Sequence, residues 1–349
     1  MFKPKLTITP SILDGISLIS EIKAIVERSK VLPLNEAQLR RQALVRMAHT
    51  STSIEGNPLA EYQVDKVLAG MSVNADQKSI IEVKNYQQAL KEAEQLAKEK
   101  SVLTIENVLK LHSLVMKGLL EAKKTGHFRP GSVFIVDDLG DGREKLRFEG
   151  PEAKKVPFLV NELLNWLASE KTLHPILKAG IFHSHFVNIH PFSDGNGRMT
   201  RLLATLILYK EGWDFRKILV LEDYYNRDRL AYYNGLASSS GTKFSDSVDF
   251  TPWLEYFVEG FLYEAKNVAD KIESIGFAKT ESDTQVFLDR DEVKIMDFLT
   301  STGRITSQDV EDLLKVAKRT AQLKLKKLIE KKLISIAGSG PATYYLLKN

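Results

Sequence analysis

Cysteine is absent from this 349-residue chain, which excludes disulfides, thiolate zinc sites and a cysteine nucleophile. No apolar run approaches the ~20 residues that span a bilayer, and the N-terminus lacks the basic and then apolar stretch of a secretory signal. These absences predict a cytoplasmic protein without membrane association. The net charge is also small, because 49 basic and 45 acidic residues leave an excess of only +4. Apolar residues make up 43% of the chain, enough for a sizeable core.

Most of the chain has the apolar spacing of amphipathic helices. Helices are predicted near residues 37–50, 79–98, 105–119, 154–170, 174–189, 196–211 and 251–275. Helices of this length joined by short polar connections favour a mainly α fold over a doubly wound sheet.

One region breaks this pattern, from Gly126 to Gly150. Residues 133–136 favour a strand, 137–142 form a turn cluster, and 145–148 return as a second strand. The sequence therefore predicts a short β-hairpin that projects from a helical body. Because an isolated hairpin is marginally stable, we expect it to pack on the body or to accept a partner strand.

The C-terminal region reads as a separate unit. Residues 276–290 are polar and aperiodic, as in a linker. Three helical segments and an alternating segment around a Gly-Ser-Gly-Pro turn follow, which is the element order of a winged helix. The third helix is basic: residues 315–332 carry eight basic side chains and one acidic one. Such a helix indicates DNA contact, and a solvated or protein-binding face remains the alternative.

Residues 190–201 carry the strongest chemical signal and read HPFSDGNGRMTR between two apolar helices. A helix tends to end before a proline, so Pro191 predicts a turn. The Asp-Gly-Asn-Gly run allows unusual backbone angles. The next helix starts at once, which leaves free backbone N–H groups at its N-terminus and creates an anion site.

The side chains of this segment extend the anion site. Arg198 and Arg201 lie three residues apart and project from nearly the same side of the first helical turn. Two guanidinium groups suit a polyphosphate, and Asp194 suits a Mg²⁺ ion that also binds phosphate oxygens. His190 at the loop entrance suits a general base toward a hydroxyl. Each feature alone is common; the prediction rests on all of them falling within twelve residues.

This run resembles the signature of the Fic domain family, HPFx(D/E)GNGRxxR, at every fixed position. The family transfers AMP from ATP to a hydroxyl side chain of a protein. The resemblance implies a mainly α, Fic-type helical bundle with a small β-hairpin flap, together with ATP as substrate and Mg²⁺. It also implies a role for each motif residue. The implied roles are general base for His190, loop anchor for Phe192, Mg²⁺ ligand for Asp194, anion hole for Gly195, Asn196 and Gly197, and phosphate binding for Arg198 and Arg201.

The resemblance extends to two further segments. The predicted hairpin is similar to the family's flap, which binds the target peptide by strand addition. Residues 226–233 are similar to the segment that lines the adenine pocket. Adjacent tyrosines cannot share one helical face, so Tyr233, with Tyr232 as the alternative, is expected to stack on the base. Ser238–Ser240 stand where some members place an asparagine near the adenosine, which leaves the base specificity open.

An inhibitory motif of the family, (S/T)xxxE(G/N), is matched by residues 51–56, which read STSIEG. The matching residues are Ser51, Glu55 and Gly56. In the family the glutamate pairs with the second arginine of the motif, here Arg201, and removes a contact to the γ-phosphate. The position implies the class whose inhibitory motif lies N-terminal in the same chain. The alternative is an ordinary helix C-terminus, because Gly56 and Pro58 are stop signals.

Together these observations predict a self-inhibited protein adenylyltransferase that modifies a Tyr, Thr or Ser hydroxyl, its own chain included. AMP removal, another nucleotide donor, and a DNA-binding transcriptional regulator with a nucleotide-sensing Fic body remain alternatives, and a homodimer is an open possibility. We expect an N-terminal inhibitory region over 1–100, a catalytic core over 101–275, a linker over 276–290 and a winged helix over 291–349. The candidate DNA-contacting residues are Lys318, Arg319, Thr320 and Gln322.

Overall fold

The computed structural model describes residues 2–29, 31, 33–99, 101–138, 144–277, 288–338, 340 and 343–347. Within these ranges the helices are α1 (Pro10–Arg28), α2 (Pro33–Ile54), α3 (Glu61–Leu68), α4 (Gln77–Lys98), α5 (Ile105–Val115), α6 (Val156–Ser169), α7 (Pro175–Ile189), α8 (Asn196–Lys210), α9 (Leu221–Arg227), α10 (Arg229–Ser238), α11 (Thr251–Phe277), α12 (Arg290–Thr302), α13 (Ser307–Leu314) and α14 (Lys318–Glu330). The mainly α prediction is confirmed. No helix in these ranges combines the length and the apolarity needed to cross a membrane.

Polar side chains fix where several helices begin. The Thr9 hydroxyl accepts from the Ile12 N–H before α1, and the Asp76 carboxylate accepts from the N–H groups of residues 78 and 79 before α4. Thr104 and Asn107 form a capping box at the start of α5. Each cap satisfies N–H groups that a helix leaves unpaired at its first turn.

The core is centred on α7 and α8, which are buried on nearly every face. Helices that are apolar all round are typical of the interior of a large bundle. The two helices pack against each other, with α4, α6 and α11 around them. The short loop that joins them carries residues 190–195, so rigid elements hold the motif on both sides.

The predicted hairpin is present: β1 (Phe134–Asp138) pairs antiparallel with β2 (Glu144–Glu149). Its register shifts between Ile135 and Val136. The turn at residues 139–143 lies outside the described residues. The far end of β2 is tied to the helical body, because the Glu149 N–H donates to the Thr242 carbonyl and the Glu149 carbonyl accepts from the Phe244 N–H, both at 2.9 Å. The hairpin therefore packs on the body at its base, as expected.

The C-terminal unit contains α12, α13 and α14, followed by β3 (Ile334–Ala337) and β4 (Tyr344–Leu347), which pair antiparallel. It has its own apolar cluster. Three helices and a hairpin are the elements that the winged-helix prediction requires, and the assignment to that fold remains a prediction. Most of the predicted linker, residues 278–287, lies outside the described residues, and its ends belong to α11 and α12.

The N-terminal region contributes to this C-terminal unit. Met71, just after α3, is buried in the apolar cluster of the C-terminal unit. Lys66 Nζ lies 2.6 Å from Asp309 Oδ1, and the Arg304 guanidinium lies 4.8 Å from the ring centre of Tyr62. The C-terminal unit thus docks on α3, a few residues after the predicted inhibitory motif.

The packing of α1 on α11 gives a stability prediction. A Cβ added at Gly15 would lie 2.5 Å from Val258 Cγ1, and a β-branched valine has little rotamer freedom with which to yield. We expect Gly15→Ala to lower the free energy of unfolding by about 1–3 kcal/mol, although alanine is the better helix former. Urea denaturation measures this change, with the exposed Asp14→Ala as a control. A Gly15→Ala variant as stable as the wild type would contradict this close approach.

Candidate active site

The loop between α7 and α8 depends on two left-handed residues. His190 follows α7 with φ 50° and ψ 60°, and Gly195 precedes α8 with φ 79°. The first angle pair is uncommon for a residue with a side chain. The Arg129 side chain supports it, since Arg129 Nε donates to the His190 carbonyl at 2.7 Å. Arg129 N also donates to the Pro191 carbonyl at 2.9 Å.

Phe192 and Asn196 hold the same loop from inside. The Phe192 ring is fully buried. Asn196 Oδ1 accepts from the Phe192 N–H at 2.9 Å, and Asn196 Nδ2 donates to the Phe192 carbonyl at 2.8 Å. The anchoring role predicted for Phe192 fits this geometry. Both polar atoms of the Asn196 side chain thus bind the backbone of Phe192.

His112 on α5 also supports this loop, and the sequence analysis did not identify it. Its ring stacks on Phe192 with the centroids 3.7 Å apart. Nδ1 accepts from the Gly126 N–H at 2.9 Å, so Nε2 carries the proton and donates to the Asp194 carbonyl at 3.1 Å. Burial lowers the pKa of His112 to about 4. A neutral imidazole of fixed tautomer thus joins the segment before the flap to the predicted metal-binding residue.

The His190 imidazole is arranged as a base. Its Nδ1 lies 3.2 Å from the Val187 carbonyl, which accepts only, so the proton resides on Nδ1 and Nε2 keeps a free lone pair. Burial lowers the pKa of His190, with the Val187 carbonyl acting in the opposite direction. The ring is therefore neutral near pH 7 and able to take a proton from a hydroxyl.

Arg201 is buried and is bound by the segment that carries the predicted inhibitory motif. Its exposure is 2%, and its Nε donates to Ser51 Oγ at 2.9 Å. Its Nη2 donates to the Ser51 carbonyl at 2.8 Å and to Glu55 Oε1 at 2.7 Å. Although burial opposes the charge, the Glu55 carboxylate raises the pKa of Arg201 above its ordinary value. The structure thus brings together the predicted pair, which is far apart in sequence.

Arg198 is also buried and is bound by two carboxylates. Its Nη1 pairs with Glu82 Oε1 on α4, and its Nη2 lies 3.3 Å from Asp194 Oδ1. The second oxygen of Glu82 accepts from Asn57 Nδ2 at 2.7 Å. Glu82 and Asn57 were not predicted as site residues. These groups line a cavity of about 340 Å³ beside the N-terminus of α8.

A second cavity, of about 380 Å³, lies between the flap, α8 and α10. Tyr233 lines it, and the Arg147 guanidinium lies 5.5 Å from the Tyr233 ring centre. The Tyr232 ring is almost fully buried and its hydroxyl lies 2.9 Å from His183 Nε2. Tyr233 is therefore the better placed of the two to stack on a base. The lining also includes Glu55, Val133, Phe134, Ile135, Val187, His190, Gly197, Arg201 and Ser240.

The residues present fit a Mg²⁺ ion that arrives with a nucleotide. The Asp194 side chain is 55% exposed, and Mg²⁺ is commonly bound through one or two carboxylates together with substrate phosphates and water. Among the described residues no group of three or more His, Asp or Glu side chains forms a metal cage by itself. Asp194 would therefore hold the ion only in company with phosphate oxygens.

The candidate DNA-contacting residues lie far along the chain from this site, on α14. Lys318, Arg319, Thr320 and Gln322 are all exposed. Part of the basic helix is used within the unit, because Lys324 Nζ lies 2.8 Å from Asp289 Oδ2 and 3.1 Å from Asp291 Oδ2. The exposed basic surface is thus concentrated in the first turn and at residues 326 and 327.

Comparisons with known proteins agree with this geometry. The model of the Fic/DOC family matches residues 102–208. The protein adenylyltransferase Fic of Drosophila erecta is 28% identical over 251 residues, which cover 70% of this chain and 44% of that protein. The chain therefore spans less than half the length of that relative. This chain contains a Fic domain and is homologous to Fic protein adenylyltransferases.

Solved structures show the same fold. A Fic family protein from Desulfovibrio desulfuricans is 27% identical, with a TM-score of 0.64, and the match covers 99% of this chain and 98% of that one. Fic-1 from C. elegans is 22% identical, with a TM-score of 0.57 and coverage of 77% and 74%. The predicted Fic-type helical bundle with a small hairpin is confirmed.

The depressed pKa of His112 gives a stability prediction. Since this pKa is about 4 in the folded chain against an ordinary 6.5, the unfolded chain binds more protons between these values. The contribution of His112 is complete above pH 6.5 and declines toward pH 4. We expect His112→Asn to reduce the dependence of unfolding free energy on pH by up to about 1.4 kcal/mol per pH unit in this window.

Urea midpoints at pH 7, 6 and 5 measure this dependence. Phe192→Leu serves as the control, because it perturbs the same contact without removing a titrating group. If His112→Asn and the wild type lose stability in parallel from pH 7 to pH 5, the prediction that His112 is buried and neutral in the folded chain is contradicted.

Proposed function

We propose that this chain is a self-inhibited protein adenylyltransferase that transfers AMP from ATP to a Tyr, Thr or Ser hydroxyl. The observation that carries the proposal is the arrangement around α8. A neutral imidazole, a helix N-terminus and two buried guanidinium groups adjoin two cavities that share Glu55, and Glu55 binds one of the guanidinium groups. The homology to Fic protein adenylyltransferases supports the same activity.

In the proposed reaction the hydroxyl oxygen of the target attacks the α-phosphorus of ATP. The bond to the β-phosphate oxygen breaks, pyrophosphate leaves, and the hydroxyl proton passes to Nε2 of His190. The backbone N–H groups of residues 195–197 would bind phosphate oxygens at the N-terminus of α8. Arg198 and Arg201 would bind the β- and γ-phosphates. Mg²⁺ held by Asp194 would supply neutralising charge on the phosphates.

The flap is the proposed docking site for the target protein. On β1 the side chains of Phe134 and Val136 are exposed, and the described residues place only β2 beside this strand. An extended target segment could add to the free edge through main-chain hydrogen bonds. Phe134 also lines the 380 Å³ cavity with His190, so a strand bound there would lie near the base.

Glu55 is proposed to inhibit because ATP and Glu55 need the same guanidinium. We expect Glu55→Gly to raise AMP transfer at least about tenfold, the value of one charged hydrogen bond. Intact-mass analysis of the chain and of candidate targets with ATP and Mg²⁺ measures the added adenylyl group. Ser53→Gly, in the same last turn of α2, is the matched control for loosening of the helix end. Equal gains from both substitutions would contradict inhibition by the carboxylate.

His190 is proposed as the base, and its substitution is expected to change the rate of AMP transfer but not the affinity for ATP. In the Glu55→Gly background, His190→Ala should lower the transfer rate by about 10²- to 10⁴-fold. Its affinity for ATP should stay close to that of the parent, because no phosphate contact is assigned to the imidazole. Calorimetry measures the affinity for ATP, and the rate of adenylyl addition measures the transfer step. A variant with unchanged turnover excludes His190 as the base, and an added mass other than one adenylyl group identifies a different donor.

A second candidate function, DNA binding, is favoured by the exposed basic start of α14. Because phosphate contacts release counterions, log affinity for a DNA duplex should fall linearly with log salt concentration. Lys318→Ala and Arg319→Ala should each make the slope shallower by about 1. Fluorescence anisotropy measures this, with the exposed Lys123→Ala of the Fic domain as the control. A flat salt response would instead indicate a protein-binding surface.

A further inference from the structure

Both phosphate-binding arginines are held by carboxylates from outside the motif, but only one of these carboxylates belongs to the inhibitory motif. Glu55 binds Arg201, and Glu82 on α4 binds Arg198. Arg198 is 4% exposed, so this pair is shielded from water and depends on its hydrogen-bond geometry. We propose that Glu82 is a second inhibitory carboxylate, which competes with the nucleotide for Arg198. This inference rests on the proposed function.

The hydrogen bonds of Arg198 favour competition over orientation. Its Nη1 is paired with Glu82 and its Nη2 with Asp194. Its Nε is buried and has no hydrogen-bond partner within the described residues. A phosphate bound by two parallel N–H groups needs one whole edge of the guanidinium. Because Nε is buried, a phosphate would reach Arg198 through Nη1 and Nη2, and both of these nitrogens already donate to carboxylates, so the phosphate competes with them.

Charge leads to the same conclusion. Among the described residues, Glu55, Glu82 and Asp194 pair with two guanidinium groups at the N-terminus of α8, and Lys78 lines the same cavity as Glu82 and Asp194. A polyphosphate entering this arrangement meets carboxylates of its own sign at partly buried positions, where charges are weakly screened. Removal of either Glu55 or Glu82 lowers this repulsion.

Asn57 connects the two carboxylates. It follows Glu55 by two residues, and its Nδ2 donates to Glu82 Oε2 at 2.7 Å and to the Ser79 carbonyl at 3.1 Å. Its Oδ1 accepts from the Leu59 N–H at 3.1 Å. The segment that carries Glu55 therefore also orients Glu82. Movement of this segment would loosen both contacts, so the two arginines would become available together.

The test measures binding of ATP with Mg²⁺ to the full chain by calorimetry, with every variant in the His190→Ala background so that no transfer step contributes. The variants are Glu55→Gly, Glu82→Gln and the double variant. We expect the double variant to bind ATP about tenfold more tightly than Glu55→Gly. This factor corresponds to the free energy of one charged hydrogen bond to Arg198, which ATP no longer has to replace. Asp76→Asn in the Glu55→Gly background is the matched control. Asp76 lines the same cavity and caps α4 without a contact to Arg198, and asparagine is also a favoured cap residue that keeps one of its two acceptor oxygens.

The outcomes separate the two proposals. If the double variant binds ATP no more tightly than Glu55→Gly, or more weakly, then Glu82 does not compete for Arg198 and this inference is wrong. A gain that Asp76→Asn reproduces in full likewise overturns it, since the effect is then general charge. If ATP binds to none of the variants, the proposed adenylyltransferase function itself is wrong. Should Glu82→Gln fold poorly, Glu82→Asp keeps the charge but withdraws it from Arg198, and an intermediate gain in affinity is expected.

Discussion

A buried cation must be paired, and this requirement shapes the region around the motif. The first two turns of α8 carry two guanidinium groups at 4% and 2% exposure, where an unpaired charge is strongly unfavourable. Without a nucleotide, only protein groups can supply the partners. Ser51 and Glu55 do so for Arg201, while Glu82 and Asp194 do so for Arg198. The two arginines proposed to bind phosphate are therefore held by the carboxylates proposed to compete with it.

The loop itself is held largely by hydrogen bonds to its backbone. Asn196, His112 and Arg129 occupy the backbone polar atoms of residues 190–194 through hydrogen bonds, and Phe192 fills the space beneath. The imidazole of His112 stays neutral because burial lowers its pKa to about 4. These hydrogen bonds involve neither Glu55 nor Glu82. Under the proposed mechanism these two carboxylates change partners while His190 and the N-terminus of α8 stay in place.

The sequence allowed the helices, the hairpin and the motif to be predicted because each has a local signal. The apolar period of residues 174–189 and 196–211 predicts α7 and α8, and the turn residues between them predict the loop. Glu55 could be identified only through the resemblance of its motif, since by itself it reads as a helix end. His112, Glu82 and Asn57 have no local signal, because their roles arise from contacts with residues far away in the chain. Arg129 was visible beside the hairpin, but its hydrogen bond to the His190 carbonyl was not.

Met71 has a consequence for how this protein can be divided. Its side chain completes the apolar cluster of the C-terminal unit, although more than two hundred positions along the chain separate it from α12. Cutting the chain in the polar stretch after α11 would expose the apolar cluster of the C-terminal fragment where Met71 packs, and it would expose Met71 on the N-terminal fragment. Exchange of the tail between relatives would meet the same obstacle, so α3 and the tail are expected to be inherited as a matched pair.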